Sequence, residues 1–349
     1  MRVGIPRALL YYQYYPMWKT FFEELGASVV VSDPTTKATL AAGSERLVAE
    51  TCLPVKVYCG HVLALVERAD VLFVPAVRSL EPQVLNCSKF LGLPDLVRAV
   101  VPEAPLLLDP EIDLDGKESE DKPWSPPGLK AMEARARLGF YYDVYRLGRR
   151  FTGSLSRIRR AARLAWQAHQ RYLAIMQTGL MPEEAIALWE TGCRPGAAAY
   201  EHCIALVGHP YNLYDTYITQ DIMAKLQGLG SQVLTAEMAG PERLRRAVVD
   251  LTGYPYWTYE DEIVGAGGYY VQERDIDGVI VVTSFGCGPD STLVEVVRSA
   301  ASQAERPFMN LVIDEHTGEA GMVTRLEAFI DMIARRERLY PQRMSTSQS

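Results

Sequence analysis

Apolar positions along this chain fall into short β-branched runs and longer helical stretches, and the two alternate. RVGIP reads as a strand ending in a turn, and PMWKTFFEELG as an amphipathic helix closing at Gly26. VVVSD is the next strand, LVERADVLFVPAV gives a helix and then a strand, and APLLLD gives another strand. After a long middle region the alternation resumes. CIALVGHP is strand and turn, and TYITQDIMAKLQGLG is a helix ending at Gly230. SQVLTAE, DGVIVVTSF and PFMNLVID are strands, and MVTRLEAFIDMIARRERL is a closing helix. Strands interleaved with helices predict parallel sheets with right-handed crossovers.

The two ends of the chain share a pattern. Gly4-Ile5-Pro6 and Gly208-His209-Pro210 each close a first strand, and the helix that follows ends on Leu-Gly 22 residues further on, at Gly26 and Gly230. The expected fold class is therefore α/β, with two similar open, mainly parallel-sheet domains of Rossmann or flavodoxin type. They are expected at residues 1–125 and 201–349, joined by a helical connector at 126–200. In such sheets ligands bind outside the carboxyl ends of strands. DPEIDLDGKESEDK, residues 109–122, is acidic and reads as a loop or linker. From Lys130 to about Leu188 the pattern is helical and arginine-rich between Arg135 and Arg171. That stripe reads as a solvated face, or as a docking surface for an acidic partner.

Composition narrows the classes. With 349 residues the chain has room for a substantial core, and 48% hydrophobic with 23% charged residues is ordinary for a globular protein. A net charge of −7 argues against a nucleic-acid partner. MRVGIPRALLYYQYYP lacks the form of a secretory signal, and no apolar run reaches the ~18 residues of a membrane span. The expected compartment is cytoplasmic, where thiols stay reduced, so a disulfide framework is not expected from the six cysteines.

The neighbourhoods of those cysteines carry the chemistry. They are Cys52 (ETCLPVK), Cys59 (VYCGH), Cys87 (NCSKFLGLPD), Cys193 (TGCRPG), Cys203 (EHCIALVG) and Cys287 (FGCGPD). Only Cys203 leads straight into an apolar strand. Cys287 follows the strand DGVIVVT and stands between Gly286 and Gly288, which strip away side chains and admit a large object close to the backbone. Three chemistries compete. Zinc knuckles use tight cysteine pairs, whereas here six residues separate Cys52 from Cys59 and nine separate Cys193 from Cys203. A nucleophilic thiol needs a base, and His61 stands two residues after Cys59. An iron–sulfur cluster suits soft thiolates drawn from distant loops.

Longer stretches then carry a resemblance. VGIPRALLYYQYYPMWKTFFEELG, ETCLPVKVYCGHV and CSKFLGLPD, with GHPYNLYD, FGCGPDS and IDEHTGEAGMVTRLEAF, resemble the 2-hydroxyacyl-CoA dehydratase and activase-related superfamily. Within it they look most like the double-cubane cluster proteins. The acidic loop and arginine-rich helices match least. The resemblance implies an oxygen-sensitive iron–sulfur protein that accepts low-potential electrons from an ATP-hydrolysing activator of the sugar-kinase/Hsp70/actin type and reduces small molecules. It also implies a homodimer. No G-x-x-x-x-G-K-[ST] loop is present, so ATP is expected on the partner.

By motif, Cys52, Cys87 and Cys287 match the family's commonest ligand positions. Two cubes need three thiolates each, and six cysteines favour an [8Fe-9S] double cubane, with Cys59, Cys193 and Cys203 completing the set by count and loop position. The alternatives are a [4Fe-4S] subunit of a 2-hydroxyacyl-CoA dehydratase and a non-catalytic electron carrier. Lys56 and His61 are either proton donors or plain surface residues of a helix start. Glu315 and His316, with Asp314, are either a proton relay at a strand end or caps of the following turn. The aromatic run Tyr11, Tyr12, Tyr14, Tyr15 and Trp18 reads as core or interface packing, with a substrate pocket as the alternative.

Overall fold

The computed structural model describes residues 1–80, 84, 86–113, 144–191 and 200–339. In chain order the strands are β1 (Arg2–Ile5), β2 (Ser28–Val31), β3 (Val71–Phe73), β4 (Ala76–Ser79), β5 (Leu106–Leu108) and β6 (Glu111–Asp113). They continue as β7 (His202–Val207), β8 (Ser231–Leu234), β9 (Gly278–Ser284) and β10 (Phe308–Ile313). The helices that position the site are α1 (Tyr11–Glu24), α2 (Lys37–Arg46), α3 (Leu53–Leu65), α4 (Ser88–Leu91), α5 (Leu155–Met176) and α6 (Gly288–Gln303).

Two four-stranded sheets repeat one topology. The first runs β2-β1-β3-β5 and the second β8-β7-β9-β10, so each places its first strand second in space. Every pair in both is parallel. The fold is thus α/β with parallel Rossmann- or flavodoxin-like sheets, as the alternation predicts. In the second sheet the side chains alternate strictly. Ile204, Leu206, Ile280 and Val282 join one apolar core, and Ala205, Val207, Val279 and Val281 join another on the opposite face. Burial on both faces is what makes DGVIVVT an unbroken apolar run.

The larger core is continuous from the first sheet through α1 and α5 to one face of the second. The aromatic run of α1 lies in it: Tyr11, Tyr12, Tyr15 and Trp18 are all buried. Trp18 and Phe22 pack against Phe73 of β3 at 4.6 and 5.2 Å, the first tilted and the second edge-on. Such pairs contribute about 0.5–1.5 kcal/mol each beyond area burial. Gly26 ends the first helix in the left-handed region at φ 88°, and Gly230 does the same at φ 75°. The helix before Gly230 is shorter than its pattern implies, covering only Ile222–Gly228. The arginines of α5 are exposed, and Arg160 pairs with Glu24 of α1. No helix among the described residues is long and apolar enough to cross a membrane.

Helix α3 is buried along most of its length because α2 crosses it at glycines. A Cβ on Gly60 would stand 2.0 Å from the Thr39 carbonyl oxygen, and one on Gly43 would stand 1.9 Å from that of Lys56. That close crossing fixes where α3 begins, and α3 begins at a cysteine.

Candidate functional site

Three of the six cysteines occupy the same structural position. Cys52, Cys87 and Cys287 are the N-cap residues of α3, α4 and α6, each with non-helical backbone and no side-chain capping bond. Proline in the first turn of α3 and α6 presets the helical φ there. All three thiols line one pocket, where the carboxyl ends of both sheets meet. The loops that carry them abut: a Cβ on Gly286 would lie 4.0 Å from Cys52 Cα. Gly286 itself adopts φ 79°, so the turn before Cys287 needs a glycine, whereas a side chain on Gly288 would meet open space.

Burial raises the Cys52 and Cys287 thiols above the ordinary cysteine range, and the carboxylate of Asp290 adds to the rise at Cys287. The N-termini of α3 and α6 pull the other way, because free N–H groups and the helix dipole favour anionic sulfur. Bound positive charge between the thiols would resolve that opposition. Among the described residues no three His, Cys, Asp or Glu side chains converge tightly enough to hold a single metal ion.

The wall also stores backbone strain. Leu9 and Tyr259 line the pocket with φ of 50° and 70°, a region that costs a residue with a side chain about 1–2 kcal/mol. Phe90, Tyr211 and Trp257 complete an aromatic lining. Trp257 is 39% exposed and Phe285, two residues before Cys287, is 68% exposed. Apolar surface is therefore offered to solvent at and beside the pocket.

A buried charge network backs the wall. His209, at the carboxyl end of β7, places Nδ1 2.5 Å from Glu262 Oε2 and Nε2 3.0 Å from Asp290 Oδ1. When both carboxyls are ionised they only accept, and both ring nitrogens then carry protons. Burial opposes that charge, yet the Asp290 and Glu262 carboxylates outweigh it and hold the imidazole well above the usual histidine range. Burial pushes Glu262 up to about 8, against the pull of the His209 hydrogen bond. Gln13 of α1 donates to the other Glu262 oxygen and ties the network to the first half.

The remaining site candidates lie elsewhere. Cys59 is in the core within α3, about 10 Å along the helix from Cys52, and burial raises it to about 11. Cys203 sits near the amino end of β7, about 13 Å of strand from the pocket end. Its N–H donates to Asp277 at 2.7 Å, and burial raises its thiol to about 11. The structure brings neither Cys59 nor Cys203 to the pocket, and Cys193 lies outside the described residues.

Lys56 and His61 are not surface residues of a helix start, because α3 is packed on most sides. Lys56 is 2% exposed and donates to the Ala49 carbonyl at 2.9 Å and to Glu315 at 2.7 Å. Its hydrogen bond holds the Glu315 carboxyl below the usual range. His61 is fully buried in a directed relay: Ser32 Oγ donates to Nδ1, Nε2 donates to Thr35 Oγ1, and Thr35 donates to Asp215. Burial and the nearby Arg7 lower it to about 4, so it stays neutral. The relay joins the two halves and none of its members lines the thiol pocket. The ring of His316 is exposed, and its backbone N–H donates to Asp314, which also accepts from Thr317, so this segment is a capped turn.

Sequence reasoning missed Asn86, His209, Asn212, Trp257, Thr258, Glu262 and Asp290. His209 and Asp290 carried a usable signal, since each follows a strand end within a few residues of a glycine. Glu262 carried none, for it reaches His209 from a π-helical turn, Asp261–Gly265, 53 residues away.

A family profile described as CoA enzyme activase uncharacterised domain (DUF2229) matches residues 2–239. No curated protein matches the chain significantly.

Proposed function

We propose, on the premise that the chain belongs to the family of CoA enzyme activase uncharacterised domains, that it is the electron-accepting component of an ATP-driven system. In this reading Cys52, Cys87 and Cys287 hold one iron–sulfur cluster. The observation that carries it is the convergence of three N-cap thiols on one pocket at the carboxyl ends of the sheets. A [4Fe-4S] cluster held by three thiolates supplies a low-potential one-electron store with one iron free of protein sulfur. The [8Fe-9S] double cubane asks for six thiolates. With Cys59 inside α3 and Cys203 at the far end of β7, the described residues favour the single-cluster form.

The chain's own residues define the rest. The N-termini of α3 and α6 stabilise thiolate at Cys52 and Cys287, so binding of the metal body releases the protons that burial would otherwise keep there. Phe90, Tyr211 and Trp257 exclude water, and a small substrate reaches the thiols past Trp257. His209 keeps a proton on Nε2 directed at Asp290, within the pocket wall. The exposed Phe285 and Trp257 offer apolar area on which an ATP-hydrolysing activator docks.

The test uses the chain loaded with iron and sulfide under anaerobic conditions, with an activator ATPase, reductant and MgATP. Bleaching of the chain's chromophore is expected only while ATP is hydrolysed. Equal bleaching without ATP, or none under any condition, overturns the role. Saturable binding of an acyl-CoA would move the chain to the dehydratase reading.

A further inference from the structure

Among the described residues five buried polar atoms in the wall of the thiol pocket have no hydrogen-bond partner: the Tyr259 hydroxyl, one Asp290 carboxylate oxygen, and three further groups able to donate. Nδ2 of Asn86, Nδ2 of Asn212 and Oγ1 of Thr258 are buried and make no hydrogen bond, and all three residues line the pocket. An unmet buried donor costs about 1–3 kcal/mol, so three around one space call for an acceptor within it.

The orientation of the Asn86 amide is fixed from the other end. Asn86 Oδ1 accepts the Cys87 backbone N–H at 2.8 Å. Asn212 Oδ1 accepts the Ser284 hydroxyl at 2.7 Å. Flipping Asn86 would set its NH2 against that N–H. The Asn86 NH2 group is therefore held where it stands, beside Cys87, and the Asn212 NH2 group faces the pocket while the Ser284 hydroxyl donates to its Oδ1. Asn212 is fully buried and Asn86 is 8% exposed, so water does not satisfy them freely. In the same wall Asp290 Oδ1 is engaged with His209, while its Oδ2 is buried without a partner and meets neither amide.

The acceptor these donors face lies among three thiols, and thiolate or sulfide sulfur is the acceptor such a site holds. We infer that Asn86, Asn212 and Thr258 donate hydrogen bonds to the sulfur atoms of the group bound between Cys52, Cys87 and Cys287, and so set how readily it takes an electron. This rests on the reading proposed above. The three residues touch no iron in this account; they are positioning residues whose effect is on potential. Reduction adds one electron and no atom, so the bound group gains one negative charge. Donors aimed at its sulfurs stabilise that charge and raise the midpoint potential.

The test compares the unaltered chain with Asn86→Leu, Asn212→Leu and Thr258→Val, each loaded anaerobically. Iron per chain and the midpoint potential, by dithionite titration followed by electron paramagnetic resonance, are read separately. Unchanged iron with a three- to tenfold smaller one-electron reduction constant is expected for each variant, a tenfold change being about 59 mV. Asn86→Asp and Asn212→Asp keep the side-chain shape and exchange a donor for an acceptor, so they decide the matter if a leucine variant fails to fold; a larger fall is expected. Full iron loading with unchanged potentials in all variants overturns the inference. Absence of iron from the unaltered chain removes the cluster reading, and this inference with it.

Discussion

Cys287 and Cys203 belong to neighbouring strands of one sheet, β9 and β7, and sit at opposite ends of it. At the carboxyl end, Cys287 caps a 16-residue helix and meets two more N-cap thiols, unmet donors and strained backbone. At the amino end, Cys203 has its N–H tied to Asp277, and Asp275 and Asp277 add to the rise that burial gives its thiol. Carboxylates reinforce burial at both thiols, Asp290 at Cys287 and Asp277 and Asp275 at Cys203, but only at Cys287 does a helix N-terminus oppose it. Which end of a strand a cysteine stands at therefore decides what surrounds it, more than the residues beside it in sequence.

The largest test of that contrast is substitution. Cys52→Ala, Cys87→Ala or Cys287→Ala is expected to cut anaerobic iron retention at least tenfold, while Cys59→Ala and Cys203→Ala leave it within twofold, measured by elemental analysis. Equal loss from Cys203→Ala would break the comparison.

A smaller effect separates groups governed by the pocket from groups governed by burial alone. His61 and His169 are both lowered to about 4 by burial, and at His61 Arg7 adds to the fall. The unfolded chain takes up these protons first as pH falls through about 6.5. Stability present above that pH is therefore lost progressively down to about pH 4, by about 3 kcal/mol per histidine. Urea midpoints across this range check it. His209, raised by its two carboxylates, acts in the opposite sense: its contribution is complete below about pH 6.5 and fades only as pH rises through its folded value.

The strand–helix alternation was legible because apolar periodicity follows directly from two-sided sheets, and the matching Leu-Gly helix ends reflect a repeated topology. Cys52, Cys87 and Cys287 were legible through motifs, and their shared N-cap position explains those motifs: an extended residue, then Pro at α3 and α6. Cys59 lies in the core for a packing reason. Gly60 beside it marks a helix crossing and not a loop, since any side chain there would strike Thr39. Lys56 and His61 looked solvent-facing because a helix's second partner is invisible locally; α2 and distant Glu315 and Thr35 bury them. The pocket's unmet donors were illegible, because an amide's freedom depends on what its carbonyl holds.

The most direct measurement is iron and acid-labile sulfide per chain in anaerobically purified, unaltered protein. The account predicts about four of each, as a [4Fe-4S] cluster on three thiolates requires. No iron, or about eight irons per chain, would contradict it.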